Sequence, residues 1–202
     1  MAHLRHLVVV IPGIGGSVLE TVGGVPVWGQ GLSGLVKPLV DPARLSLAEN
    51  KTLRPRCLLR STHVLPWKTV PGYDGLVRQL VNTFGLGEDD VDVARDGPPR
   101  KPGARVVLFP YDFRLGVAVA AGQLQWEVDQ RLAEFSAEER RKRVIVVAHS
   151  MGGLVARFWL ARWAERAIAM CWSLSAPRIG ERQRRWTGCS TGCASAPARS
   201  AR

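Results

Sequence analysis

The sequence predicts an α/β fold in which a parallel β-sheet carries helices on both faces. Short runs of β-branched residues predict buried strands at 6–11, 105–110, 144–148 and 168–174. Segments with apolar residues at helical spacing separate these strands, at 73–81, 115–135 and 153–163. Strands that alternate with helices in this way join as parallel strands through crossover connections, so the helices pack against the sheet.

The chain has 202 residues, 46% of them hydrophobic, which is enough for one domain with a substantial core. No run of about 18 apolar residues occurs, and the first apolar run stops at Pro12, too early for a signal peptide. We therefore expect a cytoplasmic protein. The four cysteines lack the spacing of metal ligands, so we expect reduced thiols, no metal and no cofactor.

The net charge of +11 raises the question of binding to nucleic acid or to an anionic membrane. Residues 178–202 contribute six arginines against one glutamate, and the other positive residues are scattered or lie beside acids. Aromatic residues do not interleave with the arginines of this segment, apart from Trp186. We expect no specific nucleic-acid partner, while weak contact with an anionic membrane surface stays open.

A serine between small residues follows the strand at 144–148. Ser150 lies in the pattern Ala148-His149-Ser150-Met151-Gly152, and a helical pattern begins directly after it. A strand that turns into a helix within a few residues strains the backbone of the turn residue and projects its hydroxyl outward. This pattern predicts a catalytic nucleophile at Ser150, with the amide of Met151 as one oxyanion-hole donor. The alternative is a buried serine in an ordinary strand-helix turn.

A glycine-rich loop follows the first strand, at residues 12–17. A dinucleotide-binding fingerprint would need a glycine at position 18, where the chain has Val18, and no Lys-Ser/Thr pair marks a phosphate-binding loop. In a serine hydrolase of this strand order, the first glycine loop supplies the second oxyanion-hole amide. Here Gly15 or Ile14 is the expected donor.

A polar segment, Tyr111-Asp112-Phe113-Arg114, follows the strand at 105–110. Loops at the carboxyl ends of parallel strands commonly contact ligands. We therefore take four loop residues as candidates for substrate contact: Ile14, Tyr111, Asp112 and Arg114. For Asp112 and Arg114 the favoured alternative is a structural ion pair that braces the loop without touching substrate.

Three segments, PGIGGSVLE at 12–20, PYDFRL at 110–115 and AHSMGG at 148–153, resemble the lecithin:cholesterol acyltransferase-like family of α/β-hydrolases. The resemblance covers roughly residues 6–177. It implies an α/β-hydrolase-like sheet, a lipid or small ester as substrate, and acyl transfer or hydrolysis through a Ser-Asp-His triad. It also implies that residues 21–70 form a cap-like insertion that helps to cover the site. The alternative for 21–70 is an irregular surface excursion.

The residues after Ser150 depart from this pattern. The fold supplies the acid and the base after the nucleophile, in the order Ser, Asp/Glu, His. Beyond Ser150 the chain has no histidine and no aspartate, and its acids there are Glu165 and Glu181. His149 is fixed beside the serine, where its ring should point away from the hydroxyl. We therefore expect a lipid O-acyltransferase or esterase that lacks the triad Asp and His. The alternative is a catalytically inactive remnant or interaction protein that retains the half-sheet.

The domain expected from these features spans residues 1–177, a partial α/β-hydrolase domain truncated after the strand that follows the nucleophile-bearing helix. Residues 178–202 contain few apolar side chains and are expected to form a disordered basic tail. A frameshift in a GC-rich gene would explain this composition, and resequencing the locus would test it. Two packing expectations complete the interpretation: residues 88–103 form an exposed loop, and Phe158, Trp159 and Trp163 belong to the core.

Overall fold

A computed structural model describes the chain at residues 4, 6–29, 34, 38, 40–48, 52–65, 68–70, 72–94, 100–135, 144–163 and 168–170. At 62–65, 68–70 and 168–170 the description covers the backbone. Residues 171–202, and with them the predicted tail, lie outside it.

The described residues form ten strands and three α-helices. The strands are β1 Leu7–Ile11, β2 Ser17–Thr21, β3 Pro26–Trp28, β4 Leu53–Leu58, β5 Thr62–Leu65, β6 Lys68–Val70, β7 Val91–Val93, β8 Val106–Leu108, β9 Val144–Ala148 and β10 Ile168–Met170. The helices are α1 Asp74–Phe84, α2 Val117–Ala133 and α3 Met151–Trp163.

Five strands form one parallel sheet in the order β10-β9-β1-β8-β7. The central strand β1 pairs along its whole length with β9, from Leu7 opposite Val144 to Ile11 opposite Ala148. The loops after β1, β8 and β9 therefore all leave the sheet at the carboxyl ends of its strands. The predicted α/β class and parallel sheet are confirmed.

Both faces of this sheet are buried, and residues alternate between them along each strand. One face carries Leu7, Val9 and Ile11 of β1, which belong to the core that includes buried residues of α2 and α3. The other face carries Val8 and Val10, which pack with partly buried leucines of α1. Because helices cover each face, the inner strands β1, β8 and β9 are apolar throughout, and the prediction of helices on both faces is confirmed.

Helix α1 agrees with its sequence pattern. Leu76 and Leu80 lie one turn apart and both pack against the sheet. Gly85 ends the helix in the left-handed conformation, with φ of 62°, and its amide bonds to the carbonyl of Val81. Glycine is the residue that adopts this conformation with least strain.

Residues 21–70 contain strands that the sequence pattern does not predict. Strands β3 and β4 of this segment pair in antiparallel fashion with the two sides of β2, which begins before it, and β5 pairs with β6 as a hairpin. Strand β4 reads LRPRCL, with a proline and two arginines, so no run of β-branched residues marks it. The cap-like role of this segment stays a prediction.

The expectation of an exposed loop at residues 88–103 is wrong at β7. Val91–Val93 pairs in parallel with β8 and adds an edge strand to the main sheet. Asp92 in its middle is buried because Arg131 of α2 supplies the opposite charge. An acidic segment can therefore form a strand of the sheet when a cation pairs with its buried acid. The composition of the segment alone does not indicate this.

The core expectation for α3 holds for one aromatic residue of three. Trp159 is buried with Val155 and Ala156. Phe158 and Trp163 are 42% and 40% exposed, so the core prediction is wrong for both. Their side chains lie outside the buried face of the helix, which carries residues 155, 156 and 159. None of the helices described here is long and apolar enough to cross a membrane.

Candidate active site

Ser150 occupies the turn between β9 and α3 in a strained conformation. Its φ is 50°, and it is the one non-glycine residue with positive φ in the described part of the chain. The left-handed region costs an L-residue about 1–2 kcal/mol. The amides of Gly152 and Gly153 bond to the carbonyls of His149 and Ser150 at 2.9 and 2.8 Å, which starts the helix at once. The side chain of Ser150 is left exposed.

The loop after β1 lies against this turn. The amide of His149 donates to the carbonyl of Ile11 at 3.0 Å. A Cβ on Gly152 would lie 2.5 Å from the Pro12 carbonyl oxygen, and a Cβ on Gly13 would lie 3.0 Å from the Cβ of Ser150. Real Cβ atoms do not reach the first distance, so the close approach requires glycine at position 152.

The glycine loop itself is a tight turn, closed by the Gly16 amide donating to the Gly13 carbonyl at 3.0 Å. Gly15 has φ of 70°, and its carbonyl accepts a hydrogen bond from the Trp28 indole at 2.8 Å. Ile14 is 68% exposed. Within the described part of the chain, the amides of Ile14, Gly15 and Met151 donate to no protein acceptor. They are the amides that the sequence proposes for an oxyanion hole.

The ring of His149 is directed at Tyr73, whose hydroxyl lies 2.8 Å from His149 Nδ1. The same hydroxyl accepts a hydrogen bond from the Gly13 amide at 2.8 Å. Tyr73 immediately precedes α1 and is absent from the sequence-based candidates. No local pattern could reveal it, because its partners lie 60 and 76 residues away along the chain.

Tyr111 lies fully buried beneath the glycine loop. Its hydroxyl donates to the Pro12 carbonyl, and its amide donates to Ser17 Oγ, both at 3.0 Å. Burial, with a smaller contribution from Tyr73, raises the pKa of its phenol well above the ordinary value, so the hydroxyl stays a donor. This placement favours a bracing role over contact with substrate.

Asp112 and Arg114 form a two-point ion pair, with Arg114 Nε 2.9 Å from Oδ1 and Nη2 2.7 Å from Oδ2. Both side chains are 5% exposed. The Arg114 amide also donates to Asp112 Oδ1 at 3.0 Å, which closes the loop locally. The geometry favours the structural ion pair that the sequence offers as an alternative.

Ser150, Met151, Ile14 and Gly15 thus lie in loops at the carboxyl ends of β1 and β9, and Tyr111 lies beneath the glycine loop. The structure adds no acid-base pair after the serine, because the sequence beyond Ser150 contains neither His nor Asp. Among the described residues of this region, His149 supplies an imidazole, and the Tyr73 hydroxyl lies 2.8 Å from its Nδ1.

Comparisons with known proteins find a family similarity in one part of the chain. Residues 100–185, which include the segments at 110–115 and 148–153, match the family model described as Lecithin:cholesterol acyltransferase. No curated protein matches the chain. Among solved structures, the chain is similar to one in the crystal structure of the Tle4-Tli4 complex, with a TM-score of 0.48 and 20% identity.

That similarity covers 82% of this chain and 45% of the solved chain, so this chain spans less than half of the length of the solved chain. The family resemblance indicated by the sequence segments is confirmed by the family model over residues 100–185, and in that stretch the chain is similar to the lecithin:cholesterol acyltransferases.

Proposed function

We propose that Ser150 is the nucleophile of an acyl-transfer site that acts on lipid esters. The observation that carries the proposal is the strained Ser150, held exposed at the strand-helix turn and packed against the glycine loop. Backbone strain of this kind concentrates at functional sites, where it aims a side chain. The family match supports an ester of a lipid as the substrate class.

The reaction begins with attack of Ser150 Oγ on the carbonyl carbon of the ester. The displaced electron pair moves to the carbonyl oxygen, where the amides of Met151 and of Gly15 or Ile14 would stabilise the negative charge. Each such donor contributes about 3–4 kcal/mol in comparable sites. Collapse of the tetrahedral intermediate breaks the ester C–O bond, the departing alkoxide takes up a proton that balances the one lost by Ser150 Oγ and leaves as the alcohol, and the acyl group stays on Oγ. Water or an acceptor alcohol then takes the acyl group.

The serine proton needs a base, and the base needs a carboxylate to orient it. We propose that this chain carries the nucleophile and oxyanion part of the site, without the usual acid and base after Ser150. The oxyanion hole and substrate binding alone retain about 10³–10⁴-fold acceleration over water in triad enzymes. Slow acylation of Ser150 is therefore the expected chemistry of this polypeptide.

The second candidate is a catalytically inactive remnant or interaction protein that keeps the half-sheet. The absence of His and Asp after Ser150 in the sequence favours it. The two candidates differ in one respect that can be measured, which is whether the Ser150 hydroxyl takes an acyl group.

A p-nitrophenyl butyrate assay distinguishes them. We expect slow release of p-nitrophenolate that is lost in Ser150→Ala and kept in Ser46→Ala, which removes a hydroxyl at a residue not placed in the site. Ser46 accepts a hydrogen bond from the Ala48 amide and lies far along the chain from the turn between β9 and α3. Equal release by all three proteins would reject the acyl-transfer proposal and favour the remnant.

The other predictions from the sequence remain proposals. We propose residues 1–177 as the partial hydrolase domain, with 21–70 as its cap-like insertion. Residues 178–202 lie outside the described residues, so both the basic tail and its frameshift origin stay predictions. A cytoplasmic location and weak contact with anionic membranes also stay predictions.

A further inference from the structure

One peptide group in the glycine loop is held from both sides by tyrosines. The carbonyl of Pro12 and the amide of Gly13 are the two polar ends of the same peptide bond. Tyr111 donates its hydroxyl to the carbonyl at 3.0 Å, and Tyr73 accepts from the amide at 2.8 Å. Rotation of this peptide plane would break both hydrogen bonds.

The loop needs such support because its own residues resist rotation weakly. Gly13, Gly15 and Gly16 lack side chains, so their backbone dihedrals are less restricted than those of other residues. Gly16 lies against the Tyr73 ring, where a Cβ would come within 2.8 Å of a ring carbon. The ring and hydroxyl of Tyr73 thus contact the loop at two residues.

The hydroxyl of Tyr73 also contacts the ring of His149 at Nδ1. It has one proton and already accepts from the Gly13 amide, which favours donation of that proton to His149 Nδ1, 2.8 Å away. A neutral ring that accepts at Nδ1 carries its hydrogen on Nε2. Desolvation raises the pKa of Tyr73 more than the Gly13 hydrogen bond lowers it, so the hydroxyl remains protonated.

We propose that Tyr73 is a positioning residue for the acyl-transfer site. It ties the loop after β1 to the turn after β9 and fixes the peptide group that precedes the amides of Ile14 and Gly15. Those amides then face the carbonyl oxygen of an ester attacked by Ser150. The inference rests on the proposed function for its consequence in catalysis, and on the contacts of Gly13 and His149 for the positioning itself.

Nuclear magnetic resonance of the ¹⁵N-labelled chain tests the positioning directly. In the unmodified protein we expect His149 to be the Nε2–H tautomer at neutral pH, as shown by its imidazole nitrogen shifts. Tyr73→Phe keeps the ring and removes the hydroxyl, so His149 should lose its fixed tautomer and the Gly13 amide proton should shift upfield and exchange faster. Tyr111→Phe is the matched control, because it removes the other hydroxyl beside this peptide and should leave the His149 tautomer unchanged.

Each readout can fail on its own. A His149 protonated at Nδ1 in the unmodified protein, or unchanged Gly13 and His149 signals in Tyr73→Phe, would overturn the role of Tyr73. The His149 tautomer is measured in the unmodified protein, so it tests the role of Tyr73 even if Tyr73→Phe fails to fold. In the folded variant we expect Ser150 acylation to slow by about 10- to 100-fold. Absence of Ser150 acylation in the unmodified protein would instead overturn the proposed function.

Discussion

Ser150 shows how much a single residue can reveal before the structure is known. Its pattern of small neighbours between a strand and a helix predicts a strained turn, and the structure has φ of 50° there. Whether the hydroxyl is a nucleophile stays a prediction. Tyr73 is the counterexample at the same scale, because it contacts Gly13 and His149 without any local sequence pattern.

The strain at Ser150 can be measured by comparing two substitutions that both remove the hydroxyl. Ser150→Gly should be more stable than Ser150→Ala by about 1 kcal/mol, because glycine adopts a positive φ without a Cβ clash. Urea unfolding followed by tryptophan fluorescence gives both free energies of unfolding. An alanine variant as stable as the glycine variant would show that the turn relaxes to an ordinary conformation.

At the scale of elements, a buried ion network fastens the edge strand β7 to α2. Arg131 contacts Asp92 of β7 at 2.5 Å and Glu127 of its own helix at 2.8 Å, and these three side chains are almost fully buried. Arg100 adds a partly buried contact to Glu127 at 3.1 Å. Burial opposes the charge on Asp92, but hydrogen bonds from the Lys101 amide and from Arg131 outweigh it and hold the pKa of that carboxyl below its ordinary value.

Sequence reasoning misses β7 for a physical reason. A three-residue strand offers no period to recognise, and the acids at 88–92 are typical of a solvated loop. The partner that permits burial of Asp92 lies 39 residues away on α2. The helices are easier to predict, since α1 and α2 show apolar spacing over two turns or more.

Removal of Arg131, the cation that Asp92 and Glu127 share, should lower the free energy of unfolding. Arg131→Met leaves Asp92 and Glu127 buried without their partner and should lower the free energy of unfolding by about 3–5 kcal/mol. The matched control is Arg78→Met, which breaks the exposed pair with Asp74 on α1 and should cost less than about 1 kcal/mol. Equal losses in the two variants, measured by chemical denaturation, would contradict the weight given to this network.

For the whole molecule, the sequence predicts the α/β class, the parallel sheet and helices on both faces. It predicts neither the strand order β10-β9-β1-β8-β7 nor the antiparallel strands within 21–70. Strand order depends on contacts between distant segments, whereas class follows from local periodicity. The parallel sheet places the loops after β1, β8 and β9 at the carboxyl ends of the strands. Motifs that are far apart in the sequence therefore lie together as a candidate site.

The most direct test of the account is to locate the acyl group after reaction with p-nitrophenyl butyrate. Peptide mapping by mass spectrometry would follow acylation of Ser150 and, as an internal reference, of Ser46. The oxyanion amides predict that Ser150 acquires the acyl group about 10²–10³ times faster than Ser46. Acylation spread over serines and lysines with no preference for Ser150 would contradict the assignment of this turn as an acyl-transfer site.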